Sequence, residues 1–172
     1  MAHTKRIRGT DGTQLTLFFN GSSYFSNFYP CERLQINGIN YSCTEQYYAH
    51  QKAEYFNDDE AAEKILRATH PHDMKRYGRR VRQFRLSKWH EVCIEVMATA
   101  NMNKFIQNDD LRQELLKTAG TELVECNPND PFWGIGLAID DPKVAVRGKW
   151  RGKNWLGRIL TKIRECLLEE FH

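Results

Sequence analysis

Trp89, Val92, Cys93, Val96, Met97 and Ala100 fall at i, i+3, i+4, i+7, i+8 and i+11. Only a helix of 3.6 residues per turn brings that spacing onto one face. The stripe needs a core to pack against, and it predicts a long, mainly structural helix starting near Ser87. Further helices are expected from Ser42 to about Phe56, from Asp58 to Thr69, from Pro71 to Arg80, and from Asp109 to Ala119, where Gly120 stops the last. A closing amphipathic helix carries Leu156, Ile159, Leu160, Ile163 and Leu167 along one side.

Strand signals are fewer. Leu15 to Phe19 is short, apolar and rich in β-formers, and Glu122 to Cys126 alternates in polarity. Leu34 to Tyr41 alternates on both sides of Asn37-Gly38, a hairpin signal because both turn residues tolerate positive φ. The expected class is α+β: a mostly helical single domain with a small antiparallel sheet. Residues 1–14 are expected as a mobile basic extension and residues 15–172 as the domain.

Apolar residues at 41% and charged residues at 27% put the chain in the ordinary globular range, which argues against disorder. No run approaches the roughly 18 apolar residues that span a bilayer, and the N-terminus lacks an apolar signal segment. The expected location is the cytoplasm, with nuclear access by diffusion. Five scattered cysteines without a Cys-x-x-Cys pair suit a reducing compartment. His70-Pro71-His72 lacks a third ligand at a familiar spacing, so neither a metal nor a cofactor is expected. Walker, Rossmann and Gly-x-Ser-x-Gly patterns are missing, which leaves NTPase, dehydrogenase and serine hydrolase chemistry without support.

The net charge of +3 is unevenly spread. Lys75, Arg76, Arg79, Arg80, Arg82, Arg85 and Lys88 form one run without an acid, and Lys143 to Arg158 holds a second basic run. Either is a phosphate frame or a solvated basic face.

Glu45 and Lys52 stand seven apart on one expected helix, and seven steps of 100° return to within about 20° of the start. They can serve one pocket. Ser42-Cys43-Thr44-Glu45 also has the spacing of a capping box, which would give Glu45 a structural task instead. In Asp130-Pro131-Phe132-Trp133-Gly134-Ile135-Gly136 an indole sits beside a carboxylate on an irregular loop. That pairing suits a flat heterocycle, and a core-filling Trp133 is the competing interpretation. Asn154 precedes the last helix, where free backbone N–H groups would meet an anion, or where Asn154 is only the cap. The polar pair in Phe25-Ser26-Asn27-Phe28 either reaches a ligand ribose or bonds the turn backbone.

Several motifs, in order, resemble the NADAR or YbiA-like N-glycosidase family over about Phe18 to Leu168. They are Phe25-Ser26-Asn27-Phe28, Thr44-Glu45-Gln46-Tyr47-Tyr48 on through Gln51-Lys52-Ala53, Gly78-Arg79-Arg80, Trp89, Asp130 with Trp133-Gly134-Ile135-Gly136, and Gly152 with Asn154-Trp155-Leu156-Gly157. The resemblance implies cleavage of N-glycosidic bonds in ribose-containing, phosphate-bearing substrates. One branch of such activity removes ADP-ribose from guanine in DNA or nucleosides, and the other splits ribosylated riboflavin-pathway intermediates. A non-catalytic ADP-ribose reader is a third possibility, against which the Glu45–Lys52 pair argues. ADP-ribosylated guanine is the expected substrate and ADP-ribose the product, with no membrane and no obligate protein partner.

By the same likeness Glu45, Trp89, Asp130 and Trp133 match active-site positions, and Lys52 matches a lysine proposed as catalytic. The chemistry fits these residue types. A carboxylate stabilises developing oxocarbenium character, and a neutral lysine captures the aldehyde of an opened ribose as a Schiff base. The expected roles follow: Lys52 as nucleophile, Glu45 as its proton-transfer partner, Asp130 on ribose hydroxyls, Trp133 and Trp89 around the base, and Arg79 with Arg80 on phosphates. Asn27, Gly134 and Asn154 complete the expected substrate contacts. A reactive Lys52 requires burial or nearby cations to lower its pKa, which Arg79 and Arg80 are placed to supply. Leu137 to Trp150 looks like a family-variable loop.

Overall fold

The computed structural model describes residues 4–170. It resolves into two compact units, one comprising residues up to Ser26 and from Asp110 onward, the other Asn27–Asp109. Each has its own apolar core.

In the first unit, β1 (Thr4–Arg8) pairs antiparallel with β2 (Gln14–Phe18), and β2 pairs in parallel with β5 (Glu122–Glu125). The α+β class holds, but this sheet is mixed rather than antiparallel. Hydrogen bonding by a chain segment returning from far away fixes that direction, and no local signal encodes it. β1 lies inside the stretch expected as a basic extension, of which residues 1–3 fall outside the described residues. Its Lys5, Arg6 and Arg8 suit an edge strand, where charge discourages further pairing. Leu15, Leu17, Val124, Ile135 and Val144 are buried together as the core. α6 (Asp109–Leu116) precedes β5, and α7 (Trp155–Glu170) packs on β5 with Leu156, Ile159, Leu160, Ile163 and Leu167 buried.

In the second unit β3 (Gln35–Ile36) and β4 (Ile39–Asn40) form the expected hairpin, with φ of 52° at Asn37 and 79° at Gly38. α1 (Thr44–Tyr55) packs against α2 (Asp59–Arg67), α3 (Pro71–Gly78) and α5 (Cys93–Gln107). The expected long helix from Ser87 is two helices, α4 (Leu86–His90) and α5. At the junction Glu91 and Val92 donate backwards by three residues, to Lys88 O and Trp89 O, and Val92 leaves helical geometry at φ −125°. The apolar stripe survives the break, with Trp89, Cys93, Met97 and Ala100 buried. Among the described residues no helix is long and apolar enough to cross a membrane.

Candidate active site

α1 organises the second unit's site. The capping box expected at Ser42 does not form: Cys43 is the N-cap and makes no side-chain cap bond. The reciprocal role shifts to Gln46, whose Oε1 accepts from the Ser42 N–H at 2.7 Å and whose Nε2 donates to Ile65 O at 3.0 Å. Glu45 therefore sits at the second helical position, buried, without the structural task that a box would assign it.

The first turn of α1 is held from a distance. Asn27 accepts the Glu45 N–H on its carbonyl at 3.0 Å and the Thr44 hydroxyl on its Oδ1 at 2.9 Å. Asn101 Nδ2 reaches the same Oδ1 at 3.3 Å. Asn27 thus fixes the end of the helix that carries Glu45.

Glu45, Tyr48, Lys52 and Tyr55 follow at i, i+3, i+7 and i+10, so they share a face of α1. Lys52 is half-buried, and its Nζ lies 4.3 Å from the centroid of the Phe84 ring. Burial pushes the Lys52 ammonium below its ordinary pKa; the Glu45 carboxylate opposes that shift and the Arg79 guanidinium reinforces it. Arg79 follows α3, and α3 lies close to α1 because a Cβ at Gly78 would come within 3.2 Å of the Ala49 Cβ. Both arginines after Gly78 are exposed, and only Arg79 acts on Lys52.

Trp89 is buried, and its Nε1 donates to Tyr48 Oη at 2.7 Å. Its ring meets Tyr55 at 5.8 Å and Phe56 at 6.3 Å between centroids. Trp89 therefore supports the aromatic wall rather than lining its exposed surface. Phe84 belongs to that wall, 5.3 Å from Phe56, and the pattern search did not single it out. Its loop is pinned because Asp58 accepts the Arg82 N–H at 2.8 Å and the Arg82 guanidinium at 2.8 and 3.2 Å. Asp58 also caps α2 through the Ala61 N–H, and between clamp and ring Gln83 adopts φ +58°. Tyr48 and Tyr55 were legible as members of the Glu45–Lys52 face; no local signal points to Phe84.

In the first unit Asp130 Oδ1 accepts from the Phe132 and Trp133 N–H groups at 3.0 and 2.9 Å, which folds the loop and aims Trp133. The Trp133 ring is partly buried and meets Phe132 edge-on at 4.8 Å. Gly134 is required by close approach, because a Cβ there would lie 2.9 Å from Glu125 O and 3.0 Å from Asp130 O. The anion site expected at the start of α7 is not available. The N–H groups of Asn154, Trp155 and Leu156 donate to Gly134 O, Phe132 O and Trp133 O at 3.0, 3.2 and 3.1 Å. Asn154 is a strand clamp: at φ +52° its amide donates to Leu123 O and accepts the Glu125 N–H, both at 3.0 Å.

The second basic run is partly tied down as well. Arg147 pairs with Asp11 and Glu122, and Arg158 stacks 3.8 Å over the Trp155 ring. Among the described residues no three His, Cys, Asp or Glu side chains converge as a metal site would require.

With this geometry in place, comparison with known proteins is informative. The family model described as the NADAR domain matches residues 17–168. An N-glycosidase of Acanthamoeba polyphaga mimivirus is 35% identical over 89% of this chain and 96% of its own. A riboflavin biosynthesis protein of Vibrio vulnificus is 37% identical over 85% of this chain but 36% of its own length. The solution structure of the Escherichia coli protein YbiA superposes with a TM-score of 0.72 at 32% identity, covering 95% of this chain and 88% of that one.

Proposed function

Starting from the fact that this chain belongs to the NADAR family, we propose that it is an N-glycosidase that releases ADP-ribose from guanine in DNA or nucleosides. Its relatives named N-glycosidase support the hydrolase class. The guanine substrate is our own inference. The observation that carries the catalytic part is Lys52: a half-buried amine, pushed toward its neutral form, on the same helical face as a buried carboxylate.

In this scheme the neutral Lys52 amine forms a bond to the anomeric carbon of the ribose, and the bond from that carbon to the base nitrogen breaks. The electron pair departs on the nitrogen, which takes the proton that the Glu45 carboxylate had accepted from the Lys52 ammonium. Nζ then passes one of its two protons to the ring oxygen as the bond between that oxygen and the anomeric carbon breaks, which leaves a protonated Schiff base. Water adds to the anomeric carbon, Nζ leaves as the amine, and ADP-ribose is released. Arg79 and Arg80 would meet the phosphates.

A second substrate is favoured by one observation, the riboflavin name of the Vibrio relative. Incubation with an ADP-ribosylated guanine nucleoside and with a ribosylated pyrimidine intermediate of that pathway separates the two. Release of guanine supports the first substrate; release of only the pyrimidine overturns it in favour of the second.

A further inference from the structure

Asn101 is fully buried on α5, one turn after Met97, and the two ends of its amide fare differently. Nδ2 donates to Met97 O at 3.1 Å and to Asn27 Oδ1 at 3.3 Å, whereas Oδ1 meets no donor among the described residues. An acceptor left without a donor in the interior costs stability, and an apolar side chain of similar size would avoid that cost. What the amide supplies at this position is therefore its two N–H groups. Its orientation is fixed, because the Met97 carbonyl can only accept and so must face Nδ2.

That orientation is passed on to Asn27. A pure donor at Asn101 Nδ2 requires an acceptor opposite it, so Asn27 turns its Oδ1 inward. Thr44 cannot impose the same choice, although its hydroxyl stands closer to Oδ1, at 2.9 Å. A hydroxyl both donates and accepts: with the Asn27 amide reversed, Thr44 Oγ1 would accept from Nδ2 and give its own proton to Asn27 O, 3.2 Å away. Of these two neighbours, only Asn101 tells one end of the Asn27 amide from the other. Nδ2 of the half-buried Asn27 consequently faces away from both, with no protein partner among the described residues, at the end of α1 where Asn27 O accepts the Glu45 N–H.

We propose that Asn101 is a positioning residue that holds the Asn27 amide with its NH2 group toward substrate, so that Asn27 meets an accepting oxygen of the ribose as a hydrogen-bond donor. The inference rests on the glycosidase assignment above for its ligand. It adds a residue that touches neither sugar nor base and acts through Asn27 alone. A reversed Asn27 amide would set Oδ1 against that oxygen, two acceptors with no proton between them, and the sugar would be held less firmly.

Steady-state guanine release from an ADP-ribosylated guanine nucleoside tests this. Asn101→Leu should raise KM about tenfold and leave kcat within about twofold, since a contact made in both ground and transition states shows in KM. In an Asn27→Ala background the same substitution should change neither constant further, because no amide remains to orient. Thr44→Val removes the shorter bond but leaves the choice to Asn101, so KM should stay within about twofold of wild type. That variant decides the matter even where Asn101→Leu fails to fold: a tenfold rise in KM for Thr44→Val would overturn the proposal. So would additive losses in the Asn27→Ala background, an unchanged KM for folded Asn101→Leu, or a fall of its melting temperature and kcat together, the mark of a merely structural side chain. Side-chain amide exchange followed by nuclear magnetic resonance reads the orientation without substrate. The Asn27 amide protons should exchange with water faster than those of Asn101, and equal protection would overturn the proposal alone. Fast exchange at Asn27 in a protein that releases no guanine sinks the substrate assignment alone.

Discussion

Lys52 Nζ lies 4.3 Å from the centroid of the Phe84 ring, on the helical face that also carries Glu45. An amine held against an aromatic ring, with a buried carboxylate seven residues before it and a guanidinium beyond, has opposing influences on its proton. Burial lowers the pKa below the ordinary 10.5, Arg79 lowers it further, and Glu45 raises it.

Those signs give paired predictions for the pH–rate profile. Activity should rise with pH as Lys52 loses its proton. Arg79→Ala removes the cation that disfavours the ammonium, so the rising limb should move to higher pH. Glu45→Gln removes the anion that favours it, so the limb should move to lower pH, with kcat reduced about a hundredfold or more by loss of the proton donor. Limbs that shift together in one direction would refute this electrostatic picture.

His50, also on α1, is buried, with its Nδ1 2.9 Å from Tyr41 Oη. Desolvation lowers its pKa below 6.5, and Glu54 opposes that only in part. The unfolded chain therefore binds the proton more readily than the folded one, and stability should fall as pH drops below about 6.5. Chemical denaturation from pH 7.5 to 5 should show that loss, and His50→Gln should flatten it.

Asp58 joins two tasks, capping α2 and clamping Arg82, and the Arg82 hydrogen bonds hold its carboxyl well below the usual carboxylate range. Asp58→Ala should cost about 2 kcal/mol, from the lost cap and from hydrogen bonds left unmade. Asp58→Asn, which can retain the cap acceptor, should cost less. Because the folded pKa is depressed, the wild-type advantage over Asp58→Asn should be fully present above about pH 4 and fade as the solution is acidified below it. A melting-temperature series across pH measures both.

Asn154→Ala leaves the Leu123 carbonyl and the Glu125 N–H without the amide that now pairs both. Thermal unfolding should show a loss of about 2–6 kcal/mol, two buried backbone groups at 1–3 kcal/mol each. Asn154→Asp keeps an acceptor for Glu125 but sets a buried carboxylate oxygen against the Leu123 carbonyl, so it should lose at least as much.

What the sequence revealed divides along a physical line. α1, α2, α3, α6 and α7 were legible because apolar spacing and turn residues are local, and Asn37-Gly38 announced its hairpin through the conformations those residues tolerate. The break at Val92 was hidden because the apolar stripe continues across it while only the backbone hydrogen bonds reset. Long-range pairings left no local trace. Asn27 capping α1, β5 joining β2 in parallel, and the carbonyls of Phe132 to Gly134 taking the N–H groups at the start of α7 each join segments distant in the chain. At the candidate site the Glu45–Lys52 face could be read from spacing, together with Tyr48 and Tyr55. Phe84 could not, because a clamp between Asp58 and Arg82 brings it to Lys52.

The central claim is that Lys52 forms a bond to the sugar. Borohydride added during turnover of an ADP-ribosylated guanine nucleoside should leave a reduced ADP-ribose adduct, and peptide mass spectrometry should place it on Lys52. Lys52→Arg should yield neither adduct nor guanine release. Full activity of Lys52→Ala with no trapped adduct in the wild type would contradict the account and leave a carboxylate mechanism led by Glu45.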